Sequence, residues 1–130
     1  MSYLVDSDWV ADYLKGRPSA VQLLNSLFRD GISISIITFA EIYEGVYYSQ
    51  TPEQHEAVFR RFLQGVSVLP INGSVGRRFA ILRGALRRTG QIIPHTDAFI
   101  AATALVHDLT LVRRDQHFAR IPDLKLHHVN

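Results

Sequence analysis

Four acidic residues stand where short apolar runs end. Asp6 follows Tyr3-Leu4-Val5, Glu41 follows the run from Ile32 to Ile37, Asp97 follows Ile92-Ile93, and Asp115 follows Thr110-Leu111-Val112. Carboxylates gathered at one place repel each other and raise each other's pKa unless a positive charge sits among them. A hard divalent cation with oxygen ligands resolves that conflict. The chemistry this pattern points to is metal-dependent hydrolysis of a phosphodiester. The cation would orient water, lower its pKa and offset charge growing on the phosphoryl group.

Four acids so far apart in sequence can act together only if the fold gathers them, and the elements between them say how. Tyr3 to Asp6 reads as a short buried strand, and Ser7 can cap a helix from Asp8 to Lys15, stopped by Gly16-Arg17-Pro18. Val21, Leu23, Leu24, Leu27 and Phe28 recur at helical spacing between Ser19 and Arg29, with Gly31 as punctuation. Ile32 to Ile37 alternates and is rich in β-branched residues, which predicts a strand. Helices follow over Thr38–Ser49 and Pro52–Gln64, then a strand over Val66–Ile71. Asn72 or Ser74 can cap a helix running to about Thr89, closed by Gly90. An alanine-rich helix spans Asp97 to His107, a strand spans Leu109 to Val112, Phe118 to Pro122 is irregular, and Leu124–Val129 reads as an edge strand.

Strands separated by helices predict a mostly parallel sheet covered on both faces, an α/β fold in one domain over residues 1–130. In such sheets the ligand crevice lies beyond the carboxyl ends of the strands. Asp6 and Asp115 fall at strand ends, and Glu41 and Asp97 fall in the first turns of helices rising from the same edge.

The composition agrees with a folded chain acting on a polyanion. The 130 residues are 47% apolar, enough for one core. The absence of cysteine excludes disulfides and thiolate metal sites, and is compatible with a reducing cytoplasm. An acid at position 6 interrupts any signal-like start, and no apolar run approaches the roughly 18 residues that span a bilayer, so no membrane role is expected. Formal net charge is +2, but setting the four acids aside leaves eight acids against fourteen Lys and Arg. A basic surface around an acidic hole suits a nucleic-acid backbone held over metal ions; an ordinary mildly basic protein has the same composition.

Each acid also has a plainer reading. Asp6 could simply open a turn, although a carboxylate ending a buried strand is costly without a partner. Asp8 serves equally as a second acid around the site or as a favourable charge in a first helical turn. Thr38-Phe39-Ala40-Glu41 matches a capping box, in which Glu41 would reach back to the backbone of Thr38. Asp97 could be a helix-start acid, but Ala98, Ala101, Ala102 and Ala104 would let its helix approach the sheet closely. Asp115 could be a loop acid paired with Arg114. The arginines at 77, 78, 83, 87 and 88 lie opposite the stripe Val75, Phe79, Leu82 and Leu86, as on a solvated helix.

The chain resembles the PIN-domain ribonucleases, and among them the VapC-type toxins of prokaryotic toxin–antitoxin pairs. The matching pieces are Tyr3-Leu4-Val5-Asp6-Ser7-Asp8, Ile36-Ile37-Thr38-Phe39-Ala40-Glu41-Ile42, Ile93-Pro94-His95-Thr96-Asp97-Ala98 running on to Ala104, and Thr110-Leu111-Val112-Arg113-Arg114-Asp115-Gln116-His117-Phe118. In order, they cover essentially the whole chain. The resemblance implies a three-layer α/β/α sandwich with a roughly five-stranded parallel sheet, Mg²⁺ or Mn²⁺ dependence and cleavage of single-stranded RNA. It implies a homodimer and a cognate antitoxin that covers the active site. Asp6, Glu41, Asp97 and Asp115 become the catalytic set, with Asp6, Asp97 and Asp115 on the metal and Asp8, Thr38 and Arg113 around them.

Arg113 departs from the family pattern, which usually has a small hydroxyl residue two positions before the fourth acid. A guanidinium there is expected to pair with Asp6 or Asp115 and take part of the cation's place. That expectation sustains an alternative: a weakly active or inactive PIN-like module that binds Mg²⁺ and antitoxin without turnover. A receiver-like phospho-acceptor domain also clusters acids at a sheet edge, but it needs a lysine there, and Lys15 and Lys125 are the only lysines.

Overall fold

The central strands are buried on both faces and read as short, largely apolar runs. A computed structural model describes residues 2–114, 118–119 and 121–127. In β1 (Tyr3–Val5), Leu4 and Val5 are fully buried and enter different apolar layers, as the two-residue repeat of a strand requires. The chain continues through α1 (Ser7–Leu14), α2 (Pro18–Leu27), a single 3-10 turn over Phe28–Asp30, β2 (Ile32–Ser35), α3 (Ile36–Tyr48) and α4 (Pro52–Leu63). β3 (Val66–Leu69), α5 (Gly73–Arg88), α6 (His95–Val106), β4 (Thr110–Val112) and β5 (Lys125–Leu126) complete the described elements.

All strand pairs are parallel, in the order β3-β2-β1-β4-β5. Leu4 lies beside Leu111 and Val5 beside Val112, and the Asp6 N–H donates to the Val112 carbonyl at 3.1 Å, carrying the pairing one residue past β1. The chain therefore winds outward from β1 to β3, then returns to the other side of β1. The β1–β4 boundary is the point where the winding reverses, and a crevice opens at the carboxyl ends of such neighbours.

Two apolar layers sandwich the sheet. On one face Leu4 and Leu111 meet Leu82 and Leu86 of α5 and Ile100, Ala101 and Ala104 of α6. On the other, Val5, Ile34 and Val112 meet Trp9 and Val10 of α1, Leu24 of α2, Ile42 of α3, and Phe59 and Phe62 of α4. This is the expected α/β/α arrangement. The alanines of α6 are buried as foreseen, and Phe79 of α5 stacks on Phe99 of α6 with ring centres 3.9 Å apart. Among the described residues no helix is long and apolar enough to cross a membrane.

Several element starts differ from expectation, and each difference bears on the site. α3 begins at Ile36 because Ser35, fully buried, accepts the Ile37 N–H at 3.0 Å and caps the helix. Ile36 and Ile37 thus belong to the helix, despite an alternation that predicts strand. α1 begins at Ser7, so Asp6 and not Ser7 takes the cap position. α6 begins at His95, two residues before Asp97. Asn72 caps α5 by accepting the Val75 N–H at 3.0 Å. β5 covers only part of the expected Leu124–Val129 strand, the end of which lies outside the described residues.

Candidate active site

The carboxyl edge of β1 and β4 carries the gathered charges. Asp6 stands at the cap position of α1, yet its side chain makes no capping hydrogen bond. It turns instead to Arg113, the residue after β4. Arg113 Nη1 lies 2.7 Å from Asp6 Oδ2, and Arg113 Nη2 lies 3.1 Å from Asp97 Oδ1. One guanidinium therefore ties together two acids that arrive from opposite layers of the fold. The Cζ of that guanidinium lies over the Phe118 ring, 4.4 Å from its centre.

The pairing leaves polar atoms unsatisfied. Asp6 is 3% exposed, and its Oδ1 has no hydrogen-bond partner among the described residues; nor has Arg113 Nε. A buried carboxylate oxygen without a donor is expensive. Desolvation pushes the Asp6 carboxyl above the ordinary carboxylate range, although Arg113 and the Ser7 backbone N–H pull the other way; the nearby charges of Asp8 and Asp97 add to the rise.

Glu41 joins this field from α3. Because α3 starts at Ile36 and is capped by Ser35, Glu41 lies in the second turn, outside the capping box that is its plainer reading. Thr38 is buried inside the helix, with its hydroxyl unpartnered among the described residues. The Glu41 side chain is open to solvent, but its carboxyl is raised above its ordinary range, first by desolvation against the protein, then by Asp6 and Asp97; the Ser7 side chain and Arg113 oppose the rise. Asp8 is exposed in the first turn of α1. Asp115 lies outside the described residues.

The structure thus brings Asp6, Asp97 and Arg113 into direct contact, with Glu41 and Asp8 within electrostatic reach. Arg113 pairs with Asp6, as expected, but its second partner is Asp97. Arg114 binds Asp12 at 2.6 Å and lies over Trp9, 4.0 Å from the ring centre. Lys125 pairs with Asp108 at the opposite, amino edge of β4, so it offers nothing to a phospho-acceptor site. Two contributions escaped sequence reasoning, Ser7 beside Glu41 and Phe118 beneath Arg113. Aromatic–arginine stacking has no fixed spacing in sequence, so only the fold could reveal the second.

The donor set is all oxygen, which suits Mg²⁺ or Mn²⁺, and the orphaned Asp6 Oδ1 is an atom such an ion would satisfy. Among the described residues, however, no three His, Cys, Asp or Glu side chains already form a metal cradle. The guanidinium stands between the two acids that are closest to doing so.

Comparison with known proteins agrees with this fold. The PIN domain family matches residues 3–124. Ribonuclease VapC2 of Haemophilus influenzae is 29% identical, with 96% of each chain covered. Ribonuclease VapC4 of Mycobacterium tuberculosis is 31% identical over 72% of this chain and 73% of its own length. VapBC2 of Rickettsia felis, solved bound to a DNA fragment from its promoter, contains a chain with a TM-score of 0.90 and 28% identity, covering both chains completely. The chain belongs to the PIN-domain family, in its VapC branch.

Proposed function

We propose that this chain is an endoribonuclease that hydrolyses phosphodiester bonds of single-stranded RNA, the toxin of a toxin–antitoxin pair. In this reading it acts in the cytoplasm as one domain over residues 1–130. The observation that carries the proposal is the meeting of Asp6 and Asp97 on a single guanidinium, with one buried Asp6 oxygen unpartnered among the described residues. Nothing in sheet packing requires two carboxylates there, and their cost asks for a compensating role. The names of the relatives, ribonucleases of the VapC type, support it.

Asp6 and Asp97 would hold Mg²⁺ or Mn²⁺, with Asp115 as the third ligand. When bound, the ion would supply Lewis-acid stabilisation of the phosphoryl oxygens and a lowered pKa for a water. Glu41, exposed beside this acidic field, would bind the ion directly or through a water. The arginine-rich exterior would draw the RNA backbone toward the edge. An apolar groove of about 430 Å³ between α1, α3 and α4, lined by Leu14, Ile42, Val46, Tyr48 and Val58, supports an antitoxin segment as partner. Exposed Tyr47, Ile81 and Ile92 leave apolar surface for a homodimer.

The test is cleavage of a single-stranded RNA by purified, antitoxin-free protein. Wild type should cut with Mg²⁺ or Mn²⁺ and stop in EDTA, and Asp97→Asn should lose about a hundredfold or more. Undiminished cleavage by Asp97→Asn, or cleavage in EDTA, overturns the reading. One observation favours the second reading, an inactive module: Arg113 bridges Asp6 and Asp97, the acids proposed to hold the cation. Metal and antitoxin binding with no cleavage of any RNA would establish it.

A further inference from the structure

Arg113 is held more firmly than a surface arginine. Its side chain is 13% exposed, two different carboxylates take its two terminal nitrogens, and the Phe118 ring lies beneath its Cζ. It follows β4, the neighbour of the central strand β1, directly across from the end of β1. A residue with a short side chain at this position could not bridge both acids. The long arginine places a full positive charge between Asp6 Oδ2 and Asp97 Oδ1, the oxygens that an ion shared by these residues would need.

We propose that Arg113 is an internal counter-cation of the centre, so that a divalent ion binds by exchange against its guanidinium. The inference rests on the nuclease reading above and deepens it. Two observations carry it beyond a mere cluster of acids: the guanidinium already bridges the pair, and Asp6 Oδ1 is buried without a donor among the described residues. The guanidinium offsets the repulsion between the acids, but it leaves that oxygen unsatisfied. An ion on the same carboxylates would meet the arginine charge at contact distance, where Coulomb repulsion is poorly screened. Guanidinium and ion are therefore alternatives at one position. Metal-free protein is stabilised, and the apparent metal affinity is lowered by the fraction of molecules in which Arg113 has left the pair.

Mn²⁺ binding, measured by calorimetry on the full chain without RNA, tests the exchange. If Arg113 holds the pair at least nine times in ten, Arg113→Thr should bind Mn²⁺ about tenfold tighter or more. Arg113→Lys keeps the charge but loses the planar two-pronged bridge, so its affinity should fall between wild type and Arg113→Thr. In wild type, the Arg113 Nε–H NMR signal should shift and its guanidinium should rotate faster as Mg²⁺ is added. This last measurement needs no variant to fold. Equal Mn²⁺ affinity in wild type and Arg113→Thr, with an unmoved Arg113 signal, overturns the inference. If Asp6→Asn then abolishes that equal binding, the nuclease centre survives and only the exchange is wrong. If neither wild type nor Arg113→Thr binds Mn²⁺, the metal centre itself fails and the exchange fails with it.

Discussion

Asp6 forgoes a local reward for a long-range one. An aspartate at a helix cap that accepts a backbone N–H typically contributes about 1 kcal/mol. Here the cap bond is absent and the carboxylate faces Arg113. A second acid–arginine cluster, nearly two turns further along α1, behaves as a simple structural clamp. Asp12 binds Arg114 at 2.6 Å and Arg17 at 3.2 Å, and the hydrogen bond from Arg114 is the main reason its carboxyl lies below the ordinary value of 3.8. A carboxyl depressed in the folded state takes up its proton first in the unfolded chain. Its stabilisation is therefore complete above the unfolded pKa and is lost as pH falls toward the folded one. Asp12→Asn should melt below wild type at neutral pH, and the gap should close below about pH 4 and shrink in high salt. Thermal melts across pH and salt check this; a gap that persists in acid would mean the contact works through shape and not charge.

At the scale of elements, the start of α3 decides what Glu41 can do. Ser35 caps α3 from within the sheet's edge, and its side chain is fully buried. Ser35→Ala should cost about 1 kcal/mol by urea unfolding, through the lost cap and the stranded Ile37 N–H. No change would mean that another group satisfies that N–H. This boundary also marks the limit of what could be read from the chain. The alternating Ile32-Ser33-Ile34-Ser35 reads correctly as β2, but Ile36 and Ile37 continue the β-branched pattern into a helix. Propensity does not tell a cap serine from a strand serine; burial and hydrogen bonding do. Moving the helix start back removed Glu41 from a capping box and left it free for the acidic field. Asp6 and Asp97 were legible as partners because β1 and the alanine-rich α6 have strong local signals that fix their ends at the same edge. The Arg113 bridge to Asp97 was not, because a long side chain chooses among neighbours only after the fold has placed them.

The whole molecule makes the site depend on two layers at once. Asp6 is carried by β1 and α1, whose Val5, Trp9 and Val10 pack into the layer of α1 to α4. Asp97 is carried by α6, whose Ile100, Ala101 and Ala104 pack into the layer of α5 and α6. Arg113 spans the seam through the sheet. If the layers docked loosely, the 2.7 Å and 3.1 Å contacts could not persist together, since each acid would move with its own layer. Strong coupling follows from sharing a narrow sheet, because Leu4 and Val5, adjacent in β1, belong to different layers. Ile100→Val removes one methylene from the α6 layer and should cost about 1 kcal/mol. Trp9, the one tryptophan of the chain, reports from the other layer. In a cooperative molecule, urea unfolding followed by Trp9 fluorescence should shift with the variant as far as circular dichroism does, the two curves remaining coincident. A Trp9 transition that stays at the wild-type midpoint, while circular dichroism moves, would show two independently melting halves. The seam at Arg113 would then be a hinge between layers and not a fixed site.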